Sequence, residues 1–356
     1  MNRRQFFEAG AAIGLLQQAA RANRREDGMA IHRSTIVVDG LDPSALNERY
    51  LGMLKAGGVS CWLRGGSDVQ SFATAYNFLD RHKDQIVPAV TVGEIRRARG
   101  QDKLSYLFGW QSADPLTTEL GSPAPTPLRA YYQLGLRFCG IAFNVANMFG
   151  GGCLEPQIGL TRAGRRLVEE IHQLRIVLDV SGHTGEQTSL DAIEMSRGVP
   201  VVCTHTNVKA LNDNARCSSD RIIEAIAKTG GVIGITACSD FHVRTSRDAQ
   251  IPQSPQAGLQ KHLDQYDYVR KLVGSDHVGL GPDFLEGRMN ALDSVAREII
   301  PPEAYSKDPS YVKGFENIAE LPNVTSGLME RGWSTAELKK LLGENWLRVY
   351  EKVWGV

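Results

Sequence analysis

The sequence predicts an α/β fold, closed as a (β/α)8 TIM barrel. Three observations carry that expectation. Short apolar runs alternate with amphipathic helical segments from residue 30 to the C-terminus. The runs number about eight, which suits one closed barrel in a chain of 356 residues. Several runs break off in a polar, ligand-type side chain, as buried parallel strands do at a barrel mouth.

The elements follow in order. Thr35–Gly40 is short, β-branched and apolar, and Ser44–Gly57 places Leu46, Tyr50, Leu51 and Leu54 on one helical face. Val59–Arg64 and the helix Phe72–His82 come next, then a helix near Val92–Arg99 and the strand Leu104–Gln111. Helix Pro127–Leu134 leads to Arg137–Asn144, and helix Thr161–Gln173 to Arg175–Ser181. A helix near Ser189–Ser196 precedes Pro200–His205, Ser219–Lys228 precedes Gly231–Ala237, and Leu263–Val273 precedes His277–Asp283. A long helix, Thr335–Val353, closes the chain. Thr161 and Ser334 have N-cap chemistry, and Glu337 completes a capping box with Ser334. Gly198 and Gly230 fall where helices stop. Gly150-Gly151-Gly152 reads as a flexible loop at the mouth. The segment Gly287–Pro322 is Pro-rich and weakly periodic, and is expected to wrap the barrel or cover its mouth. Gly40-Leu41-Asp42-Pro43 lacks the Gly-rich phosphate loop that an open doubly wound sheet would carry after its first strand.

Composition narrows the function. With 40 basic and 40 acidic residues and no basic stripe, the chain is not expected to bind nucleic acid. No stretch is long and apolar enough to predict a membrane span. The six cysteines form no CxxC or CxxH pair, which excludes a zinc ribbon and a thioredoxin-type motif. Cys61, Cys139, Cys203 and Cys238 lie in apolar runs, as buried thiols do. At the N-terminus, Arg3-Arg4, Phe6-Phe7, the apolar Ala9–Leu16 and the small residues around Ala20–Ala22 resemble a twin-arginine export signal. Residues 1–22 are therefore expected to direct export to the periplasm, and residues 30–356 to form one barrel domain; without export the chain would be cytoplasmic.

Chemistry should gather at the C-terminal ends of the strands. In chain order these carry Asp39 and Asp42, Arg64, Gln111, Asn144, Asp179 and His183, His205, Asp240, and Asp283. The fifth and sixth predicted strands bring His183 and His205 together. Two imidazoles with open positions suit Zn²⁺ or a similar cation. Asp283, on the last strand, could ligate the ion or take the proton of a bound water. His32, His82, His172, His242, His262 and His277 lack this placement and read as surface or structural.

Several pieces resemble the membrane (renal) dipeptidase family, peptidase family M19. They are Val38-Asp39-Gly40, Asp179-Val-Ser-Gly-His183, Thr204-His205 with Asn207, Asn214-Ala-Arg216 with Asp220, Asp276-His-Val-Gly-Leu-Gly-Pro-Asp-Phe284, and Gly343-Glu-Asn-Trp-Leu-Arg348. The resemblance implies a metal-dependent, amidohydrolase-like barrel that cleaves a dipeptide or related small amide. It makes His183 and His205 ligands of one metal, Arg216 the holder of the substrate carboxylate and Asp283 the catalytic acid or base. Gly182 looks like an extra residue, which implies a bulge at that strand end.

The chain departs from the family pattern at three places. The family's Asp-Gly-His-x-Asp at the first strand is Asp39-Gly40-Leu41-Asp42-Pro43 here, so Leu41 and Pro43 replace two ligands, and Asp42 is left as a substitute ligand if the loop shifts. The bridging glutamate is Gln111, a weaker ligand. A histidine near the substrate is Phe143. Gln111 and Phe143 are thus expected in the substrate site. One zinc is expected in preference to two. The expected partner is a dipeptide or other small molecule, with a homodimer left open. The alternative is an inactive or repurposed barrel that binds a small carboxylate or peptide.

Overall fold

The computed structural model describes residues 26–66, 68–116, 126–286 and 299–355. Nine parallel strands form one sheet. They are β1 (Val38–Asp39), β2 (Cys61–Gly65), β3 (Ile86–Pro88), β4 (Leu104–Trp110), β5 (Leu136–Gly140), β6 (Val177–Asp179), β7 (Val201–Thr206), β8 (Ile233–Ile235) and β9 (Val278–Leu280). The order around the barrel is β1-β2-β4-β5-β6-β7-β8-β9. At the seam the Gly40 N–H donates to the Leu280 carbonyl at 3.0 Å, and the Asp283 N–H to the Leu41 carbonyl at 3.0 Å. Gly40 is needed there, because a Cβ would overlap the Leu280 carbonyl and the Trp346 ring. The proposed export signal lies outside the described residues.

The eight barrel strands match the predicted runs to within one residue, with Gly65, Leu136 and Thr206 just outside them, and β3 is an addition. It pairs with the first half of β4, Ile86 opposite Leu104 and Pro88 opposite Tyr106. β5 takes over only from Phe108 onward. The length of β4 thus leaves an edge near its start that a short strand fills, even one containing proline.

Strand alternation separates two layers. Val38, Leu63, Leu107, Phe138, Val177, Val202 and Val232 pack in one cluster with Trp346, Tyr350 and Trp354 of the C-terminal helix. Trp62, Tyr106, Phe108, Leu178, Val201 and Cys203 pack outward against the surrounding helices. Each large side chain so buried contributes about 1.5–3 kcal/mol. All six cysteines are free and buried.

The helices begin where the sequence places caps. Thr161 Oγ1 accepts from Gly164, and Ser334 and Glu337 form the expected capping box; such caps are worth about 1 kcal/mol each. Gly198 and Gly230 have φ of 85° and 84°. The final helix is not uniform: Thr335–Lys339 passes through a π-turn, Lys340–Glu344, into Asn345–Trp354. Gly343 lies in that turn against the Ile36 carbonyl, so the irregularity lets the helix approach the strand end closely. Gly150-Gly151-Gly152 is buried, not a loose loop. Gly151 donates to Thr188 Oγ1 at 2.8 Å and accepts from Gly185, and Gly152 touches the Asn144 carbonyl.

Candidate active site

His205 reaches the barrel centre through a bulge. Cys203 pairs with Ile233 and Thr206 with Ile235, so three steps along β7 match two along β8. The same excess appears toward β6, where Val180 donates to Val202 and Gly182 to His205. The bulge therefore lies in β7, one strand beyond the place predicted at Gly182. An extra residue reverses which side chain faces inward, and it turns His205 toward His183. The two rings lie 4.9 Å apart, edge to face.

Hydrogen bonds fix both histidine tautomers. His183 Nδ1 lies 2.7 Å from Asn144 Oδ1, which can only accept, so Nδ1 carries the proton. Its Nε2 then accepts from Arg216 Nη2 at 3.0 Å. His205 Nδ1 donates to Thr204 Oγ1 at 2.8 Å, and that hydroxyl donates to Asp179 Oδ2 at 2.6 Å. The Thr204 amide completes the clamp on Asp179 Oδ1 at 2.9 Å. His205 Nε2 faces the Gln111 amide Nε2 at 3.4 Å. Burial, reinforced by the Arg216 charge, pushes both imidazoles well below their usual pKa and keeps them neutral. Phe143 stacks on His183 with centroids 3.9 Å apart.

Arg216 is fully buried beneath the mouth. Its Nε donates to Tyr305 Oη at 2.8 Å, and its guanidinium lies over the Phe241 ring at 5.0 Å. Nη1 has no partner. Tyr305 belongs to a strap, residues 299–313, tied across the loops that follow three strands. Asn144 binds the Ile299 carbonyl, Asn214 the Ala304 carbonyl, Arg244 the Pro302 carbonyl, and Asp240 accepts from Ser306 N and Oγ. Residues 299–306 of Gly287–Pro322 thus lie over the mouth, and Asp240 serves to hold them.

Carboxylates gather at the seam. Asp42 Oδ1 accepts from Ser44 N at 2.8 Å, and Oδ2 accepts from the Tyr50 hydroxyl. Burial lifts Asp42 to about 6, opposed by those bonds and by Arg64. Asp39 is raised well above the carboxylate range by burial and by the neighbouring Asp42. Burial pushes Asp283 up to about 7, with Arg216 opposing and Asp42 adding. Asp283 also has a left-handed backbone, φ 60°.

An opening of about 480 Å³ adjoins this centre, lined by Gln111, Phe143, Tyr131, Asp68 and Asp114 among others. A family model described as membrane dipeptidase (peptidase family M19) matches residues 67–296 and 304–356. The chain belongs to the membrane dipeptidase family. An uncharacterized Klebsiella pneumoniae protein from the pqqA 5' region is 32% identical over 64% of this chain and 76% of its own length. Dipeptidase tcpJ of Claviceps purpurea is 26% identical over 77% of this chain, and the match spans 57% of that protein. A Pseudomonas aeruginosa amidohydrolase structure superimposes with TM-score 0.80 at 26% identity, covering 92% of this chain and 99% of that one.

Membership of the dipeptidase family implies a metal cofactor. The donors arranged here do not fit one. Among the described residues, no group of three or more His, Cys, Asp or Glu is placed to hold an ion. His183 Nε2 is taken by a guanidinium, and both Asp42 oxygens are taken by Tyr50 and Ser44. The expected zinc site of His183, His205 and Asp42 is therefore not assembled: the histidines meet, and Asp42 is bound elsewhere. Gln111 and Phe143 do border the opening, whereas Arg216 lies under Tyr305. From the sequence, Tyr50 is expected only on a helix face and Thr204 only as a neighbour of His205, and Tyr305 is not singled out. Thr204 had a signal, a hydroxyl beside a strand-end histidine; Tyr305 had none.

Proposed function

We propose that this dipeptidase-family chain hydrolyses a dipeptide or related small amide, with Asp283 moving the proton. The observation that carries the reading is Asp283 itself: a non-glycine residue in left-handed backbone at a strand end, with its carboxyl held near neutrality. Such a conformation is strained and is kept where a side chain must be aimed, and a poised acid in a barrel mouth is a functional-site signature. In this scheme the Asp283 carboxylate takes a proton from water as its oxygen bonds to the amide carbon. The C–N bond then breaks, and Asp283 returns the proton to the leaving amine. The substrate carboxylate displaces Tyr305 from Arg216, a charge-assisted exchange. Gln111 and Phe143 shape the space for the rest, whose volume suits a dipeptide-sized molecule.

The test is turnover of a panel of L,L- and L,D-dipeptides and N-acyl amino acids by the full chain. Asp283→Asn should lose at least ~100-fold in kcat with the fold intact. Unchanged turnover in that variant, or no substrate at all, overturns the reading. A second reading, a non-catalytic binder of small carboxylates, is favoured by the protein donors already seated on both histidines. It expects calorimetric binding of a dipeptide without cleavage, lost in Arg216→Ala.

The Arg3-Arg4 motif supports export by the twin-arginine route. Cell fractionation of the chain and of an Arg3→Lys, Arg4→Lys variant tests it. No helix among the described residues is long and apolar enough to cross a membrane.

A further inference from the structure

We propose that Arg216 is the resident cation of this centre, and that with Gln111 it fills the two imidazole nitrogens a divalent ion would need. The tautomers are the first support. Asn144 and the Asp179–Thr204 pair hold the protons on Nδ1 of His183 and His205, so both Nε2 lone pairs point inward. Each meets an N–H donor of the chain: Arg216 Nη2 at 3.0 Å and Gln111 Nε2 at 3.4 Å. A carboxylate at position 111 could only accept, whereas the amide can donate to an imidazole. The Gln111 side chain therefore matches an ion-free centre in the same way that a glutamate matches a metal.

Arg216 is also built into its place. Its Nε is fixed by Tyr305, its backbone N–H by Asn214 Oδ1 at 2.9 Å, and its face by Phe241. Gly182 leaves room for it, because a Cβ there would overlap the Arg216 carbonyl and Nη1. A dication placed between the histidines would face a buried, permanently charged guanidinium, and among the described residues no carboxylate completes a ligand group with them. The substitutions at Leu41, Pro43 and Gln111 and the inward position of Arg216 are then one change, from a metal centre to a guanidinium centre.

Metal uptake tests this assignment, and turnover tests the hydrolytic reading, so either can fail alone. The full chain is loaded with zinc or cobalt(II), desalted and assayed by elemental analysis and visible absorption. The expected result is well under one ion per chain and no cobalt ligand-field band. About one ion per chain, lost in His205→Ala, overturns it. The double variant Arg216→Met, Gln111→Glu frees His183 and restores a carboxylate, and should gain cobalt; a folded variant that still excludes cobalt overturns the role given to these two residues. If it does not fold, nitrogen NMR of the unmodified chain decides. The Nδ1–H tautomers should be unmoved by zinc or chelator, and a zinc-dependent shift of either histidine overturns the proposal.

Discussion

Gly182 lies flush against Arg216, with no room for a side-chain carbon between its backbone and the Arg216 carbonyl and Nη1. The residue that looked surplus in the strand-end motif is the one that admits the guanidinium. Gly182→Ala should cost about 1–3 kcal/mol of stability, as overpacking does, and should loosen Arg216 from His183. Urea denaturation measures the first effect. The second appears as a changed His183 ring-nitrogen shift.

Thr204 links Asp179 to His205. Thr204→Val removes one hydroxyl and leaves Asp179 Oδ2 and His205 Nδ1 without that partner in a buried setting. The expected loss is about 1–3 kcal/mol. Thr204→Ser should recover most of it, and an equal loss in both variants would show that the methyl group, not the hydroxyl, matters.

Acid should destabilise the fold through a second histidine group. His242 Nε2 accepts from Asn207 at 3.1 Å and lies 3.2 Å from His262 Nδ1, and its Nδ1 donates to the Cys238 carbonyl at 2.9 Å. Burial holds His242 down at about 4, from 6.5. The folded chain thus binds fewer protons than the unfolded one between these values. The stabilisation is full above about 6.5 and is lost as pH falls toward 4, on the order of 3 kcal/mol for His242. Chemical denaturation at several pH values should show this slope, and His242→Gln should flatten it.

Asp283 has the opposite sign. Its carboxyl is raised to about 7 in the folded chain, so the folded form binds more protons between about 4 and 7. Its contribution to stability is full below that window and is lost as pH rises through 7. Turnover that needs the ionised carboxylate should grow across the same range. An acid limb far below 7 would separate Asp283 from the rate.

The barrel was legible because buried parallel strands leave long apolar signatures: Pro200–His205 and Leu104–Gln111 read as strands from their residues alone. β3 was not, since Ile86-Val87-Pro88 is too short to be told from a loop and depends on an edge of β4 that only the assembled sheet reveals. At the site, His183, His205 and Asp283 announced themselves by residue type at strand ends. Their relationship did not. Whether an imidazole nitrogen faces a metal or an arginine depends on a bulge in β7 and on Gly182, and neither alters the motif's chemistry. Tyr305 came from a Pro-rich segment of weak periodicity, where only tertiary contact gives a residue meaning.

The strap has a kinetic consequence. In the proposed scheme a carboxylate bound for Arg216 has to part Tyr305 from it while Ser306, Ala304 and Ile299 remain anchored to Asp240, Asn214 and Asn144. Capture is then paced by the opening of the strap and not by encounter, so its rate should level off as ligand concentration rises. The same closure slows escape, giving the occupied barrel a residence time set by its own covering chain.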